Sequence, residues 1–309
     1  MKARRKRNFN PEEYTAAQRS VFSKRTNLIF SMLFALLALA VFLPVLLVII
    51  VSFTSESSVT QNGYSFFPQS FSLEAWKYLL HSGTYLVRAI LNSFLITAAG
   101  TVLSLMLMCP IAYALSRKSF RYRRGILIFL MIPMIFSGGL IPTYLLVISL
   151  NLYNTMWALI LPVAVSAWNL IVARTFFQQT IPDELLEAAT LDGAGNTQFF
   201  LRVVLPLSKS IIAVMVLFYA VNHWNSYFNA LIYLKSAEKY PLQLVLRNIL
   251  FENSLGDMVE DASTLALQQR LGDLIKYGII IASSLPLLIL YPFLQRFFIQ
   301  GVMIGAVKG

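Results

Sequence analysis

Charged residues are scarce in this sequence, and their scarcity narrows the class of protein at once. Only 13% of the 309 residues are charged and 57% are apolar, whereas about a quarter of the residues in a soluble domain are charged. A single cysteine, Cys109, excludes a disulfide within the chain. The formal net charge of +11 would suit a nucleic-acid-binding protein, but it does so only if the basic residues cluster. The composition therefore favours a membrane protein that binds no nucleic acid.

Long stretches without any charge indicate where the chain crosses the bilayer. A helix needs about 20 apolar residues to span the hydrocarbon core. Five runs contain no Asp, Glu, Lys or Arg: Leu28 to Phe53, Ala89 to Ser116, Gly125 to Ala173, Ser210 to Leu234 and Tyr277 to Gln295. The third run is long enough for two spans, near 125–148 and 155–173, with a turn at Ser149 to Asn154. The sequence therefore predicts an all-α polytopic membrane protein with six transmembrane helices.

The distribution of Lys and Arg predicts the orientation of these spans. Of the 25 basic residues, 18 fall in the N-terminal tail, in 117–124, in 174–209 or near the C-terminus. Short basic loops stay in the cytoplasm, so both termini are predicted to be cytoplasmic. The first apolar run is longer than the apolar region of a signal peptide and is interpreted as a retained span.

These assignments divide the chain into five predicted segments. They are a basic cytoplasmic tail (1–27), a first transmembrane helix (28–53), an extracytoplasmic segment (54–86), a core of five transmembrane helices (87–300) and a cytoplasmic tail (301–309). The core includes an extracytoplasmic loop at 235–276, which is either a platform that faces a partner or a solvated connector. Its 262–274 part has a helical rhythm.

Sequence motifs that would let this chain catalyse a reaction by itself are missing. The sequence has no phosphate-binding loop, no zinc-protease motif and no nucleophile elbow, and its histidines, His81 and His223, are far apart. Arg88 and His223 are the only ionisable residues in the predicted spans, a poor basis for proton coupling. No metal site and no catalytic group are predicted, so the energy for transport should come from another subunit. A stand-alone secondary transporter or channel for a small polar solute stays open as the alternative, and a membrane enzyme is disfavoured.

The cytoplasmic loop before the fifth span has the punctuation of a short helix. Thr180 is suited to cap its N-terminus, Pro182 to open it and Gly193 to follow its end. The predicted helix, 182–193, has an apolar surface that includes Leu185 and Leu191. With nothing else in the loop to bury that surface, the helix needs a partner. The alternative is an amphipathic interfacial helix without a docking role.

The spacing in this loop resembles a family motif. Glu187-Ala188-Ala189, then Gly193, then an aliphatic residue before Leu205-Pro206 is similar to the EAA loop of binding-protein-dependent ABC importer permeases. The resemblance implies the type I ABC importer permease fold and a coupling helix that docks on an ATPase subunit. It implies no ATPase in this chain, with ATP and Mg²⁺ bound by two ABC ATPase subunits. A second homologous permease and an extracytoplasmic sugar-binding protein complete the implied complex. The implied ATPase-coupling residues are Glu187, Ala188, Ala189, Asp192 and Gly193.

Two further resemblances narrow the branch of that family. The C-terminal Gln300 to Gly309 is similar to the tail of the smaller six-span subunit of the maltose-permease type, and this implies that Gly305, Lys308 and Gly309 reach the ATPase interface. The runs at 136–144 and 285–293 resemble permeases for complex oligosaccharides. Together they imply carbohydrate import, of an oligosaccharide, across a bacterial cytoplasmic membrane.

Polar and aromatic residues concentrate in the fifth span. Because Asn222, Asn225 and Asn229 are spaced i, i+3, i+7, they are predicted to share one helical face. That face is a candidate sugar path, and hydrogen bonding between helices or to the partner permease is the competing interpretation. The candidate residues are Asn222, His223, Trp224, Asn225, Tyr227 and Asn229, with Trp168, Asn169, Ser137 and Gly138 as weaker candidates.

Overall fold

The structure is a computed structural model that describes residues 24–74, 76–77, 83–136, 138–256, 276–293 and 295. The tail residues Gly305, Lys308 and Gly309, residue Ser137 and the segment 262–274 lie outside the described residues. All regular elements within the described part are helical, and a lone antiparallel bridge joins Thr54 to Phe71.

The helices follow one another along the chain with short connections. They are α1 (Lys24–Ser52), α2 (Glu56–Asn62), α3 (Gly83–Ser116), α4 (Arg123–Ile135), α5 (Leu140–Ser149), α6 (Trp157–Ile160), α7 (Ala167–Thr180), α8 (Asp183–Leu191), α9 (Asn196–Phe199), α10 (Leu205–Leu207), α11 (Lys209–Trp224), α12 (Tyr227–Tyr233), α13 (Leu242–Gly256) and α14 (Lys276–Phe293). Short 3₁₀ turns cover Leu161–Val163 and Ala237–Lys239, and a π turn covers Phe200–Val204.

Three helices are by themselves long and apolar enough to cross a membrane: α1, α3 and α14. Three further spans become available if each bent pair of consecutive helices counts as one. The segment from α6 to α7 bends by 51°, and the segment from α9 to α11 bends by 82°. With the α4 and α5 pair, the described residues offer up to six spans, the number predicted.

Helix α3 lies at the centre of the fold, where it packs against α7, α11 and α13. Its approach to α11 is closest at Gly100, where a Cβ atom would lie 2.6 Å from Nε2 of His223. Glycine is therefore required for the two helices to pack at this distance. By contrast, only 6% of the apolar window of α1 is buried, so α1 offers its surface to lipid or to another subunit.

The predicted turn at Ser149 to Asn154 is present and is tight. Asn151 and Asn154 both have positive φ, 56° and 57°, a conformation that asparagine tolerates better than most residues. The turn joins α5 to α6 and hydrogen-bonds to the end of α12 and to the segment after it. The Asn154 amide donates to the carbonyl oxygen of Tyr233 at 2.8 Å, and the Asn154 Oδ1 accepts from the Lys235 amide at 3.1 Å. The first part of the predicted 235–276 loop is thus fixed to the fold.

The fifth span differs from its prediction as one straight helix. Helix α11 ends at Trp224, where the Asn225 Nδ2 donates to the Val221 carbonyl and the Ser226 Oγ donates to the His223 carbonyl. These side chains satisfy carbonyls that a continuing helix would use. The expectation that Asn222, Asn225 and Asn229 share a single helical face is therefore wrong.

Candidate coupling loop and substrate cavity

The coupling-loop helix α8 is shorter than predicted at both ends. It runs from Asp183 to Leu191, within the predicted 182–193. Thr180 is the last residue of α7, and Pro182 takes the N-cap position, so the predicted cap at Thr180 is wrong. Asp183 and Glu184 lie in the first turn, where the positive end of the helix dipole favours carboxylates.

Gly193 ends this helix by a defined hydrogen-bond pattern. Its φ is +79°, which a residue with a side chain adopts only with strain. Its amide donates to the Thr190 carbonyl at 3.0 Å, and the next amide, of Ala194, donates to the Ala189 carbonyl at 2.8 Å. This pair of bonds is the Schellman motif. The glycine of the sequence motif thus fixes where the helix stops and how the chain leaves it.

The outward surface of α8 is free in this chain. None of its residues is buried, and Leu191 is 90% exposed. Glu187, Ala188 and Asp192 are exposed, while Ala189 is half-buried and packs with Leu186 against the core. A groove of about 670 Å³ runs beside the helix and is lined by Lys118, Ser119, Asp183, Leu186, Glu187, Thr190 and Leu191. The loop therefore exposes acidic and apolar side chains of α8 beside a groove.

Arg117 is a residue of this loop region whose role the sequence did not reveal. In the sequence, Arg117 is only one of the basic residues of the 117–124 segment. In the structure its side chain is buried and forms an ion pair with Asp183, with 3.1 Å between Nη1 and Oδ1. The partner lies 66 residues along the chain, so no local pattern could have indicated it.

Two adjoining cavities lie where α11 breaks. One has a volume of about 730 Å³ and the other about 360 Å³, and both are lined by Val163, Val221 and Asn222. Their polar lining comes from Ser166, Asn169, Asn222, Asn225, Ser226, Tyr227 and Asn229. The structure thus brings five of the ten predicted sugar-path residues together, Asn169, Asn222, Asn225, Tyr227 and Asn229, by a helix break and not by helical periodicity.

The cavity lining is uncharged among the described residues. It offers amide and hydroxyl groups beside apolar and aromatic surface. Such groups can donate and accept hydrogen bonds with sugar hydroxyls, and ring faces can stack on the apolar side of a sugar. No group of three or more His, Cys, Asp or Glu that could hold a metal ion occurs within the residues that the structure describes.

The other predicted path residues that the structure describes do not line these cavities. His223 is buried against Gly100 of α3, and neither ring nitrogen makes a hydrogen bond of normal geometry with a described residue. Trp224 is buried, and its Nε1 donates to the Ser283 carbonyl of α14 at 2.8 Å. Trp168 is 62% exposed, and neither it nor Gly138 belongs to the described lining. His223 and Trp224 pack helices together in this structure.

Comparisons with known proteins agree with the motif in the loop. Residues 100–302 match the family described as binding-protein-dependent transport system inner membrane component. The chain is 43% identical over 267 residues to Protein LplC of Bacillus subtilis (strain 168), covering 86% of this chain and 89% of that protein. It is 39% identical to the polygalacturonan/rhamnogalacturonan transport system permease protein YtcP of the same organism, covering 91% and 96%.

Further relatives and a solved structure fit the same class. The arabinooligosaccharides transport system permease protein AraQ of Halalkalibacterium halodurans is 31% identical, covering 89% of this chain and 94% of that protein. The crystal structure of a bacterial ABC transporter involved in the import of the acidic polysaccharide alginate contains a chain that is 30% identical, with a TM-score of 0.79. The match covers 90% of this chain and 100% of that one.

These matches confirm the resemblance and the type I ABC importer permease fold, and permease subunits of this kind are not themselves the ATPases. On the family match over residues 100–302 and the relatives above 30% identity, the chain belongs to the family of binding-protein-dependent transport system inner membrane components.

Proposed function

We propose that this chain is the transmembrane permease subunit of an ATP-driven ABC importer that takes up a carbohydrate, specifically an oligosaccharide, delivered by an extracytoplasmic binding protein. The observation that carries the proposal is the exposed helix α8, which bears Glu187, Ala188 and Ala189 and ends at Gly193. The names of its relatives support the substrate class, since three are transport proteins for sugar polymers or oligosaccharides.

The rest of the machine follows from this assignment. The chain works with a second homologous permease, two ABC ATPase subunits that bind ATP and Mg²⁺, and the binding protein. It lies in the cytoplasmic membrane of a bacterium with both termini in the cytoplasm. The basic segments 117–124 and 174–209 support this orientation. The ion pair between Arg117 and Asp183, which joins the two segments, also supports it.

Coupling uses the free surface of α8. Its apolar Leu191 and Ala188 offer buried area to an ATPase groove, and Glu187 and Asp192 offer charged hydrogen-bond acceptors. Closure of the ATPase dimer moves this helix, and the spans reorganise between inward-facing and outward-facing states. Gly305, Lys308 and Gly309 of the C-terminal tail add contacts to the ATPase.

Sugar passes along the amide-lined cavities at the break after Trp224. Asn222, Asn225 and Asn229 supply both donors and acceptors there, and Asn169 and Tyr227 extend the lining. Asn222 and Asn225 are exposed in this chain. Inside a membrane a polar group is costly unless it has a hydrogen-bond partner, and a sugar or the second permease would provide one. Hydrogen bonding to the second permease is the alternative for the same side chains.

The test of this function uses the complex reconstituted in liposomes with its ATPase subunits and sugar-loaded binding protein. We expect ATPase activity stimulated by the binding protein and uptake of labelled oligosaccharide. Glu187→Arg and Gly193→Pro should abolish both in complexes that assemble normally. Glu56→Arg, which reverses an acid in the first turn of α2, is the matched control. Unchanged stimulation and uptake in both loop variants would refute the coupling role.

A second measurement separates the alternative function and tests the topology. The purified chain in liposomes without ATPase subunits should move no sugar, and uptake under a proton gradient alone would favour the stand-alone transporter. A cysteine introduced at Arg121, in a Cys109→Ser background, should react with impermeant reagents from the cytoplasmic side only. Labelling from outside would overturn the orientation.

A further inference from the structure

The end of α3 that lies next to α8, its inner end, is followed directly by a charged side chain that is almost completely buried. Arg117 is 5% exposed. Its Nη1 lies 3.1 Å from Asp183 Oδ1, and its Nη2 donates to the Ile181 carbonyl oxygen at 2.9 Å. The guanidinium therefore holds two points of the chain that flank the start of α8. A buried charge is stable only when such partners satisfy it.

One turn earlier, Tyr113 holds the other flank of the coupling helix. Tyr113 lies in the last turn of α3, and its ring centroid is 4.9 Å from the guanidinium carbon of Arg117, the residue that follows the helix. The ring contacts Phe199 and Phe200, which follow α8, with centroid distances of 6.4 Å and 5.3 Å. Phe199 is 1% exposed. Tyr113 in the last turn of α3 and Arg117 just after it thus contact the chain on both sides of α8.

Helix α7 joins the same turn of α3. Arg174 donates through Nε to the Leu115 carbonyl at 3.2 Å, near the end of α3. Phe177 packs on Tyr113 with a centroid distance of 6.3 Å. The flanks of α8 are therefore fixed to α3 and α7, while its outward surface stays free.

We propose that Arg117 and Tyr113 are positioning residues that fasten the coupling helix to α3, so that a displacement of α8 by the ATPase is passed directly to this central helix. The inference rests on the proposed function and assigns two residues outside the family motif. Arginine suits the task because its planar fork reaches two acceptors at once, which a lysine ammonium on a flexible stem does less well.

The test measures sugar uptake per ATP hydrolysed in the reconstituted complex, with the amount of assembled complex normalised. Arg117→Ala should lower this ratio several-fold, because both bonds that hold the start of α8 are lost. Arg117→Lys should fall between Arg117→Ala and the original chain. Arg121→Ala, which removes an exposed charge from the same segment, should leave the ratio unchanged.

Tyr113 is tested with a conservative pair. Tyr113→Phe keeps the ring contacts to Phe199 and Phe200 and should retain the ratio, whereas Tyr113→Leu should lower it several-fold because a flat ring is lost. A residue that serves only folding would lower the yield of complex and the unfolding temperature without changing the ratio.

A double-mutant cycle asks whether Arg117 and Asp183 act as a unit. Asp183→Ala should lower the ratio less than Arg117→Ala, because Asp183 is half exposed, and the double variant should be no worse than Arg117→Ala alone. Unchanged uptake per ATP in Arg117→Ala and Tyr113→Leu complexes would overturn the inference and leave the proposed function standing. Absence of stimulated ATPase activity in the complex of the original chain would overturn both.

Discussion

The two ends of α3 are held to the rest of the molecule by different chemistry. At the inner end, the joint depends on one buried arginine and one aromatic ring, Arg117 and Tyr113. At the outer end, neutral side chains bond to main-chain atoms. The Asn92 Nδ2 donates to the carbonyl oxygens of Glu238 and Tyr240 at 2.8 Å and 3.2 Å, and the Ser93 Oγ accepts from the Leu242 amide at 2.7 Å.

Asn154 extends the outer joint with a second amide. Its Oδ1 accepts from the amides of Lys235 and Ser236 at 3.1 Å and 3.0 Å, and its Nδ2 donates to the Ser236 Oγ at 2.9 Å. Its main-chain carbonyl oxygen accepts from the Lys239 Nζ at 2.6 Å. The segment 235–242 is therefore bound to both α3 and the turn after α5.

The inner and outer joints of α3 differ in how many side chains share the contacts, and this difference indicates what each joint does. The outer joint spreads its bonds over several side chains, so losing one leaves the others in place. At the inner joint, the contacts between α3 and the chain on either side of α8 depend mainly on two side chains, Arg117 and Tyr113. Contacts that are shared among several side chains suit a part of the protein that stays fixed, whereas contacts made by few side chains suit the transmission of movement. We therefore expect outer-end substitutions to change stability and inner-end substitutions to change coupling.

The largest effect should come from disrupting the packing of α3 on α11, between the two ends of α3. Gly100→Val places side-chain atoms where the His223 ring lies, since even a Cβ would be 2.6 Å from Nε2. Overpacking of this kind costs about 1–3 kcal/mol and occasionally more. We expect a clear fall in thermal unfolding temperature in detergent and loss of transport.

Two companion variants test this cause. His223→Ala in the Gly100→Val background should restore part of the stability, because the clashing ring is removed. Gly125→Ala, at a position with nothing within 4 Å, should not lower the unfolding temperature. If the valine variant unfolds at the original temperature, the close approach of α3 and α11 is wrong.

Asn154→Gly should have the next largest effect and tests the outer joint. Glycine keeps the positive φ but loses the three side-chain hydrogen bonds, a cost of about 2 kcal/mol at roughly 1 kcal/mol or less per bond. Uptake per ATP should not change in the assembled complex. Asn151→Gly, also at positive φ, is the control. A lower ratio in Asn154→Gly would remove the distinction between the two ends.

Gly193→Ala should produce a smaller loss of stability but a loss of coupling. Alanine at φ of +79° costs about 1–2 kcal/mol and frays the end of α8. Gly63→Ala is the matched control, because Gly63 also has positive φ, +67°, and nothing within 4 Å, but ends α2. We expect both to lose stability in thermal unfolding and only Gly193→Ala to weaken stimulated ATPase activity. Equal ATPase activity in the two variants would contradict this.

The smallest effect is expected at the outer ion pair. Arg88 Nη1 and Glu238 Oε1 are 3.8 Å apart, and their side chains are 51% and 80% exposed. Exposed pairs contribute about 0–1 kcal/mol, so Arg88→Ala should change stability by less than about 0.5 kcal/mol in thermal unfolding with no change in uptake. A large loss would show that the outer end depends on charge as well.

Local patterns predicted much of the fold and the centre of the coupling loop. Charge-free runs indicated the spans, because a bilayer excludes charge, and Gly193 indicated the end of α8, because its backbone conformation needs glycine. The N-terminus of α8 was placed wrongly at Thr180 because α7 continues through that residue. Packing of α7 against α3 outweighed the capping preference.

Helical periodicity predicts only part of the cavity lining. The sequence places Asn222, His223, Trp224 and Asn225 next to one another, and this favours a single site. A helix directs neighbouring side chains to different sides, so Asn222 lines the cavities whereas Trp224 packs on α14. The pair Asn225-Ser226 was the available signal for the break, since such side chains compete for main-chain carbonyls. Contacts across 66 residues, as between Arg117 and Asp183, have no local signature.

The partners of Asn154 have a consequence for the time course of synthesis. The partners of its side chain and of its carbonyl oxygen lie 81 to 85 residues further along the chain. At roughly 5–20 residues per second, the ribosome needs about 4–16 s to supply them. Until then the amide of this turn can be satisfied only by water or headgroups. Asp183 follows Arg117 by 66 residues and is made before the 235–242 segment, so during biogenesis the inner joint can close while the outer one is still open.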